Sequence, residues 1–505
     1  MSFLCDNLAA FVVAGAVSLM AWLFGGTRGD LLIPVVPWVF ALLVEVLLFF
    51  PQRHHGESTF EARTRHWRQL RRDPVLWLSV VLFVLLLVPF FNYGFCPNCC
   101  PGKVAQGFNP KPPVPVIPYC VNLREHLNIV NWFAIALPAM LVVRRSLVRR
   151  GRRLVIKLIV WNGFALALLG FVQSAMGAPG PLWDVVHNGS FWGLTTDFFS
   201  TFGYSNMGGD YFAVLFCLAA ALWRDCRVRF VEDFKKKDIS KSAPPRPRMF
   251  WKKNLYLIPT MLFFFAAISS YSRAAMILVT VAAVVCFVHT LICILAKMSR
   301  ARRVVVTAWS VAIFVLAVTA AVSTMPKNIQ KEIDKTGTTE VLDRVSGKST
   351  SVSLAIDIWK DHKLFGCGGW GFRHLVVPKM VEKEMKVVVQ EVGGMNVHND
   401  CLQFLTEHGL VGFGLIVAIV VGLLWPICSG WRRLATTARF EKGHDRPPRP
   451  VQIFALPAAV LFILMALFIT FVHSFGDCPL RSAATLSLFF VELAALSGFM
   501  PRLEK

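Results

Sequence analysis

Charge is scarce in this sequence. Only 16% of its 505 residues are Asp, Glu, Lys or Arg, against about a quarter in soluble globular chains. With a hydrophobic share of 55% and a mean hydropathy of +0.56, that shortage excludes an ordinary soluble domain. Acids are the scarcer sign, 30 against 53 Lys and Arg. Internal repeats are also missing, and ionisable residues inside the apolar runs are few, Glu45 and Lys157 being the exceptions. Both shortages argue against a transporter, which builds its path from repeats and intramembrane charges. No basic n-region precedes Leu8–Phe24, so this stretch is expected to be a first span rather than a cleaved signal.

What is present is a series of apolar runs of about 17–23 residues, each long enough as a helix to cross a hydrocarbon core of roughly 30 Å. The expected spans are Leu8–Phe24, Leu31–Phe50, Val75–Phe91, Leu127–Val143, Leu154–Met176, Tyr211–Trp223, Asn254–Ser270, Ala274–Ala296, Val304–Val322, Leu410–Cys428, Ile453–Val472 and Ala483–Met500. Tyr211–Trp223 is short, so its helix is expected to start earlier, around Tyr204–Gly209. The fold class is therefore an all-α integral membrane protein of about twelve transmembrane helices.

The net charge of +23 is distributed in a way that disfavours nucleic acid. With the N-terminus placed in the cytoplasm, the inside loops and the tail carry 35 Lys and Arg and the outside segments 17, of which 11 fall in the single loop Ser323–Gly409. Long loops contribute little to orientation, so every informative loop puts the positive charge inside, next to anionic lipid. Both termini are expected in the cytoplasm, with no nucleic acid among the partners and membrane lipid among them. Three parts follow: residues 1–322 with nine spans and a Pro/Cys-rich outside loop at 92–126; an extracytoplasmic loop subdomain at 323–409; and three spans in 410–505. The Pro run at Pro110, Pro112, Pro113, Pro115 and Pro118 suits an extended cap. Ser353–Asp361 and Val376–Val389 read as helices, which makes the 323–409 subdomain mostly helical.

Thirteen cysteines are many for such a chain. Cys217, Cys286 and Cys293 lie in apolar runs and act as small hydrophobes. Cys96, Cys99, Cys100 and Cys120 are compatible with disulfides or a metal knuckle, and an oxidising compartment favours disulfides. Cys367, Cys401 and Cys478 are also expected outside, where a Cys367–Cys401 bridge would staple two motifs together. Glu45 is expected to make a polar contact within the bundle. Asp184, Asp197 and Asp210 line one outside segment, either solvated or touching sugar hydroxyls.

The most informative string is Asn396-Val-His398-Asn399-Asp400-Cys-Leu-Gln-Phe-Leu-Thr-Glu407-His408-Gly409-Leu-Val-Gly412, where the long loop re-enters the membrane. It sets an imidazole, the side chain best suited to move a proton near neutrality, at the water–lipid boundary. A helix starting near Asn399 would also offer free N–H groups to an anion. The same residues suit a simple capped helix entering the bilayer, with Asn396 or Asn399 as cap.

The string resembles the signature of the O-antigen ligase and O-antigen polymerase superfamily: His, then Asn, Ser or Gln, nine residues, Gly, two residues, and a small residue. Three further stretches are similar to that family in order: Thr201–Tyr211, Ser270-Tyr-Ser272-Arg273, and Ala355–Phe372 with its Gly366, Gly368 and Gly371. The resemblance covers roughly Phe202–Val420. It implies a GT-C-like membrane enzyme of the bacterial cytoplasmic membrane, with the ligase branch favoured by span count and by the long loop between helices 9 and 10. The donor would be a glycan on a polyprenyl diphosphate and the acceptor a hydroxyl on a glycan or lipid anchor, transferred with inversion and without metal or other cofactor. Repeat-unit polymerase and protein O-oligosaccharyltransferase stay open within the family, and a lipid-linked glycan flippase or a scaffold outside it. The resemblance makes His398 the base or the group that positions the acceptor and Arg273 the diphosphate ligand, both catalytic, and gives Asn399, Asn206, Lys348, Arg344 and Arg373 to substrate binding. Lys348 stands where the family usually has Arg, which loses the bidentate fork for phosphate.

Overall fold

The computed structural model describes residues 2–51, 57–93, 114, 116–184, 198–236, 254–295, 299–323, 338–383, 396–440 and 456–500. The described chain is helical, and its only bridges are the isolated pairs Tyr93 with Cys120 and Phe199 with Phe202. In chain order the helices used below are α1 Ser2–Trp22, α2 Val36–Phe49, α3 Thr59–Arg71, α4 Pro74–Leu87, α5 Leu123–Arg145, α6 Arg149–Ala175, α7 Ser205–Lys236 and α8 Leu257–Ser269. After them come α9 Arg273–Leu295, α10 Arg300–Ser323, α11 Thr338–Asp361, α12 Gly371–Glu382, α13 Asp400–Phe440, α14 Ala458–His473 and α15 Ala483–Ala495. Each expected span coincides with one of these apolar helices, and the span expected at Tyr211 does begin earlier, at Ser205.

Six helices among the described residues are long and apolar enough to cross a membrane, with shorter apolar ones between them. The protein is an all-α integral membrane protein. Backbone polar groups in hydrocarbon must bond within their own segment, so helices are what such sequences form. Capping sets several boundaries. Asn122 accepts from the N–H groups of Arg124 and Glu125 to start α5, and Asp73 with Pro74 at the first helical position starts α4. Ser58 and Glu61 form a reciprocal capping box on α3.

Burial separates inner helices from outer ones. The apolar windows of α5 and α7 are 89% buried, whereas those of α4, α9 and α13 are 22–28% buried and present Trp77, Val81, Val281 and Trp425 outward. The centre is α5 against α15 and α7 against α14. Glu45 corrects one expectation: it lies on the exposed face of α2, not inside the bundle. Asp210 corrects another, being fully buried on α7 and accepting from Thr470 Oγ1 at 2.9 Å with His473 Nδ1 at 3.1 Å.

A second, smaller hydrophobic cluster joins Leu354, Ala355 and Ile358 of α11 to Phe372, Leu375, Val376 and Met380 of α12, and takes in Tyr119, Val121 and Val397. Of the Pro-rich loop, 94–113 and 115 lie outside the described residues, with Cys96, Cys99 and Cys100 among them. Cys120 is a free buried thiol, as are Cys367 and Cys478, and Cys401 is free too. The expected Cys367–Cys401 bridge is therefore absent. Cys367 Sγ instead points at the Thr406 carbonyl, 3.5 Å away.

Candidate active site

The string from Asn396 folds as a short extended approach followed by α13. Asn399 Oδ1 accepts from the Leu402 N–H at 3.0 Å, which makes Asn399 the cap of α13. His398, just before it, has φ +53°. A non-glycine residue there costs about 1–3 kcal/mol and persists only where its surroundings hold it.

Those surroundings are specific. Asp400 at the head of α13 accepts from Ser474 Oγ at 3.1 Å and from the Leu480 N–H at 2.9 Å. The Asp400 N–H in turn donates to the Ser474 carbonyl at 2.8 Å. Ser474 and Leu480 flank the turn between α14 and α15, and Asp477 lies at its middle. The clip brings His398 Nδ1 to 3.4 Å from Asp477 Oδ1.

Asp477 is the hub of the site, and the sequence reading missed it. Its carboxylate accepts from the Tyr204 hydroxyl at 3.0 Å, from the amide of Asn206, and from the N–H of Cys478 at 2.8 Å. Asn206 Oδ1 accepts from Ser272 Oγ at 2.6 Å, and Ser272 directly precedes Arg273. The turn before α7, the Ser-Arg element before α9 and the His398 approach thus converge on one carboxylate. Burial works against ionising Asp477, but the hydrogen bond and charge of His398, with the charge of His473, outweigh it and hold the carboxyl down to about 2. Burial first, and Asp477 second, push the Tyr204 phenol well above its ordinary value, so it remains a donor.

Because Asp477 is ionised it can only accept, so Nδ1 of His398 carries the proton that faces it. In the neutral imidazole Nε2 is then the lone pair, on a side chain 34% exposed. Cys478 Sγ lies 3.3 Å from Asp477 Oδ1, and the His398, Asp477 and Cys478 donor atoms fall within 4.8 Å of one another, a spacing open to a cation. Burial and the neighbouring Asp477 hold the Cys478 thiol well above its usual range, which keeps it a hydrogen-bond donor rather than a thiolate ligand.

A second layer fixes α13 to the Gly-rich turn. The N–H groups of Cys367 and Gly368 donate to the Thr406 and Glu407 carbonyls at 3.1 and 2.8 Å, and those of Leu410 and Val411 to the Lys363 and Leu364 carbonyls at 2.9 and 3.0 Å. The two backbones approach so closely that a Cβ on Gly366 would fall 2.2 Å from the Glu407 carbonyl carbon, and one on Gly409 2.2 Å from the Leu364 oxygen. Gly409, at φ +64°, also breaks the helical geometry of α13. The glycines spaced after His398 and Trp359 are thus one interlock.

Below it, Arg481 is wholly buried. It pairs with Glu407 at 2.7 Å, approaches Asp400 at 3.8 Å, and lies 5.1 Å over the Trp370 ring and 4.7 Å over Phe404. Arg373 is buried in the same cluster, with Nη1 3.4 Å from Glu125 and the guanidinium 3.7 Å over the Trp370 ring. Arg273 is half-buried at the first residue of α9. Arg344 and Lys348 lie on α11, with side chains outside the described residues. Asp184 ends a short turn and Asp197 lies outside the described residues.

Residues 258–417 match the family described as O-antigen ligase, which supports the O-antigen ligase and polymerase superfamily. The matched segment holds Arg273, the Gly-rich turn and His398 through Gly412. It stops short of Asp477 and begins after Asn206. No curated protein matches the chain.

Proposed function

We propose that this chain, an integral membrane protein with an O-antigen ligase family segment, moves a glycan from a polyprenyl-diphosphate carrier onto an acceptor hydroxyl. The observation that carries this reading is the His398–Asp477 pair, with Nδ1 of His398 facing a carboxylate and Nε2 left as the base. Nε2 takes the proton of the acceptor hydroxyl as its oxygen bonds to the anomeric carbon. The bond from that carbon to the diphosphate oxygen breaks, and its electron pair leaves with the diphosphate. Attack from the face opposite the leaving group inverts the anomeric carbon. Asp477 stabilises the imidazolium that forms, as a buried carboxylate does beside a catalytic histidine.

The diphosphate is itself a good leaving group, so the protein's part is to hold its charge and position the acceptor. Arg273 is assigned the diphosphate, for which a guanidinium offers paired donors. Asn206, Tyr204 and Ser272 hold Asp477 in place. The reaction is assigned to the outer face of the bacterial cytoplasmic membrane with both termini inside, on the strength of the loop charges. The subdomain at 323–409 is assigned to substrate placement.

The test uses the native host. His398→Ala, at normal membrane levels, should remove surface glycan while full-length lipid-linked chains accumulate. Accumulation of single repeat units instead would assign a polymerase, and unchanged glycan pools would make His398 structural and reject this mechanism.

A further inference from the structure

We propose that the outer face of α3 is a binding site for the headgroup of an anionic phospholipid of the surrounding bilayer. The site is independent of the transfer chemistry and lies at the other end of the bundle. Helix α4 runs from Asp73, beside α3, to Leu86, whose carbonyl meets His126 Nε2 at 2.8 Å. His126 Nδ1 accepts the Gly369 N–H of the Gly-rich turn at 2.9 Å. Fourteen residues of α4 separate the two ends by about 21 Å.

Helix α3 has two faces. Ala62, His66 and Leu70 recur every four residues and are buried, with His66 Nε2 at 2.7 Å from the Leu47 carbonyl. Arg144 and Arg145 grip Asp73 just past its end. The helix is thereby fastened to the bundle rather than free in solution. Its opposite face carries Phe60, Arg63, Trp67, Arg68, Arg71 and Arg72, which line an open groove of about 670 Å³.

That face has the composition of an interfacial helix. Phe60 is 79% exposed and Trp67 38%, and aromatic rings of this kind settle at headgroup depth. Its four arginines have no ion pair among the described residues. The acids nearby are engaged elsewhere: Glu57 holds Arg65 at 2.8 Å, and Glu61 closes the capping box. Four guanidiniums around two exposed rings match a phosphate diester at the edge of an apolar phase, where each can offer paired donors to phosphate oxygens.

The experiment uses the full-length protein in micelles holding equal amounts of phosphatidylglycerol and phosphatidylcholine, with retained lipid read by native mass spectrometry. Wild type should retain phosphatidylglycerol preferentially. The variant Arg63→Gln/Arg68→Gln/Arg71→Gln/Arg72→Gln should lose that preference, at about fivefold weaker binding per arginine removed. The milder Arg68→Gln/Arg71→Gln, at two exposed positions, should fall between and guards against a folding defect in the quadruple variant. Unchanged phosphatidylglycerol retention in both variants overturns the proposal. Displacement of the lipid by millimolar inorganic phosphate also overturns it, by assigning the groove to a soluble anion.

Discussion

Asp477 holds Nδ1 of His398 at 3.4 Å across 79 residues of sequence, from a turn between two helices into the approach of a third. The relation fixes the tautomer of the histidine and so which nitrogen is left to act.

The ionisation of Asp477 should show in the pH dependence of stability. Its folded value of about 2 lies below an ordinary 3.8. The stabilisation is therefore fully present above the ordinary value and lost as pH falls through the folded one, about 2 kcal/mol in all. Thermal unfolding of wild type and Asp477→Asn should differ by a constant amount from neutrality down to mild acid. The difference should shrink only below about pH 4. A difference that shrinks between neutrality and mild acid would mean the carboxyl is not held down.

The glycine interlock makes a sharper structural prediction. Gly409→Ala sets a methyl 2.2 Å from the Leu364 carbonyl oxygen at a positive φ, so it should lower thermal stability by several kcal/mol and displace the His398 approach. Gly414→Ala, five residues on in the same helix with nothing within 4 Å of its Cβ, should cost nothing. The pair is read by thermal unfolding in detergent.

Arg481 should behave as a structural ion. Arg481→Met leaves Glu407 buried without its cation and should destabilise by about 3–5 kcal/mol. Adding Glu407→Gln should restore part of that loss. Additive losses in the unfolding midpoints would show that the two side chains do not act as a pair.

Arg273 and Arg373 should separate in kinetics. Arg273→Gln is expected to lower kcat/KM for the lipid-linked donor about tenfold to hundredfold, the worth of a charged hydrogen bond. Arg373→Gln, whose guanidinium is held by Glu125 and Trp370, should lower the unfolding temperature and leave donor KM near wild type.

The helices were legible because a membrane span is a local property: length, apolarity and flanking charge lie in one window. The early start of α7 could be seen because Tyr211–Trp223 was too short to span. A resemblance whose stretches keep their order along the chain singled out His398, Arg273 and Asn206, and the fold brings His398 and Asn206 to the same carboxylate. Asp477 was not legible, because its partners lie 79 and about 270 residues away and no local pattern joins them. A signal was present all the same: Phe475-Gly-Asp477-Cys places an acid in a short turn between two apolar spans. The contacts of Arg373 were not legible, because its neighbours Glu125 and Trp370 meet only in the fold. Gly366 and Gly409 could be read as motif positions, but their purpose, two backbones touching, needed both at once.

The most direct measurement is the turnover of purified Asp477→Asn with a polyprenyl-diphosphate-linked glycan and its acceptor, in protein shown to fold as wild type does. With Asp477 as the partner that sets the His398 tautomer and stabilises its imidazolium, kcat should fall by about 10²–10⁴ while donor KM changes little. A turnover equal to wild type would contradict the assignment of His398 and Asp477 as the catalytic pair.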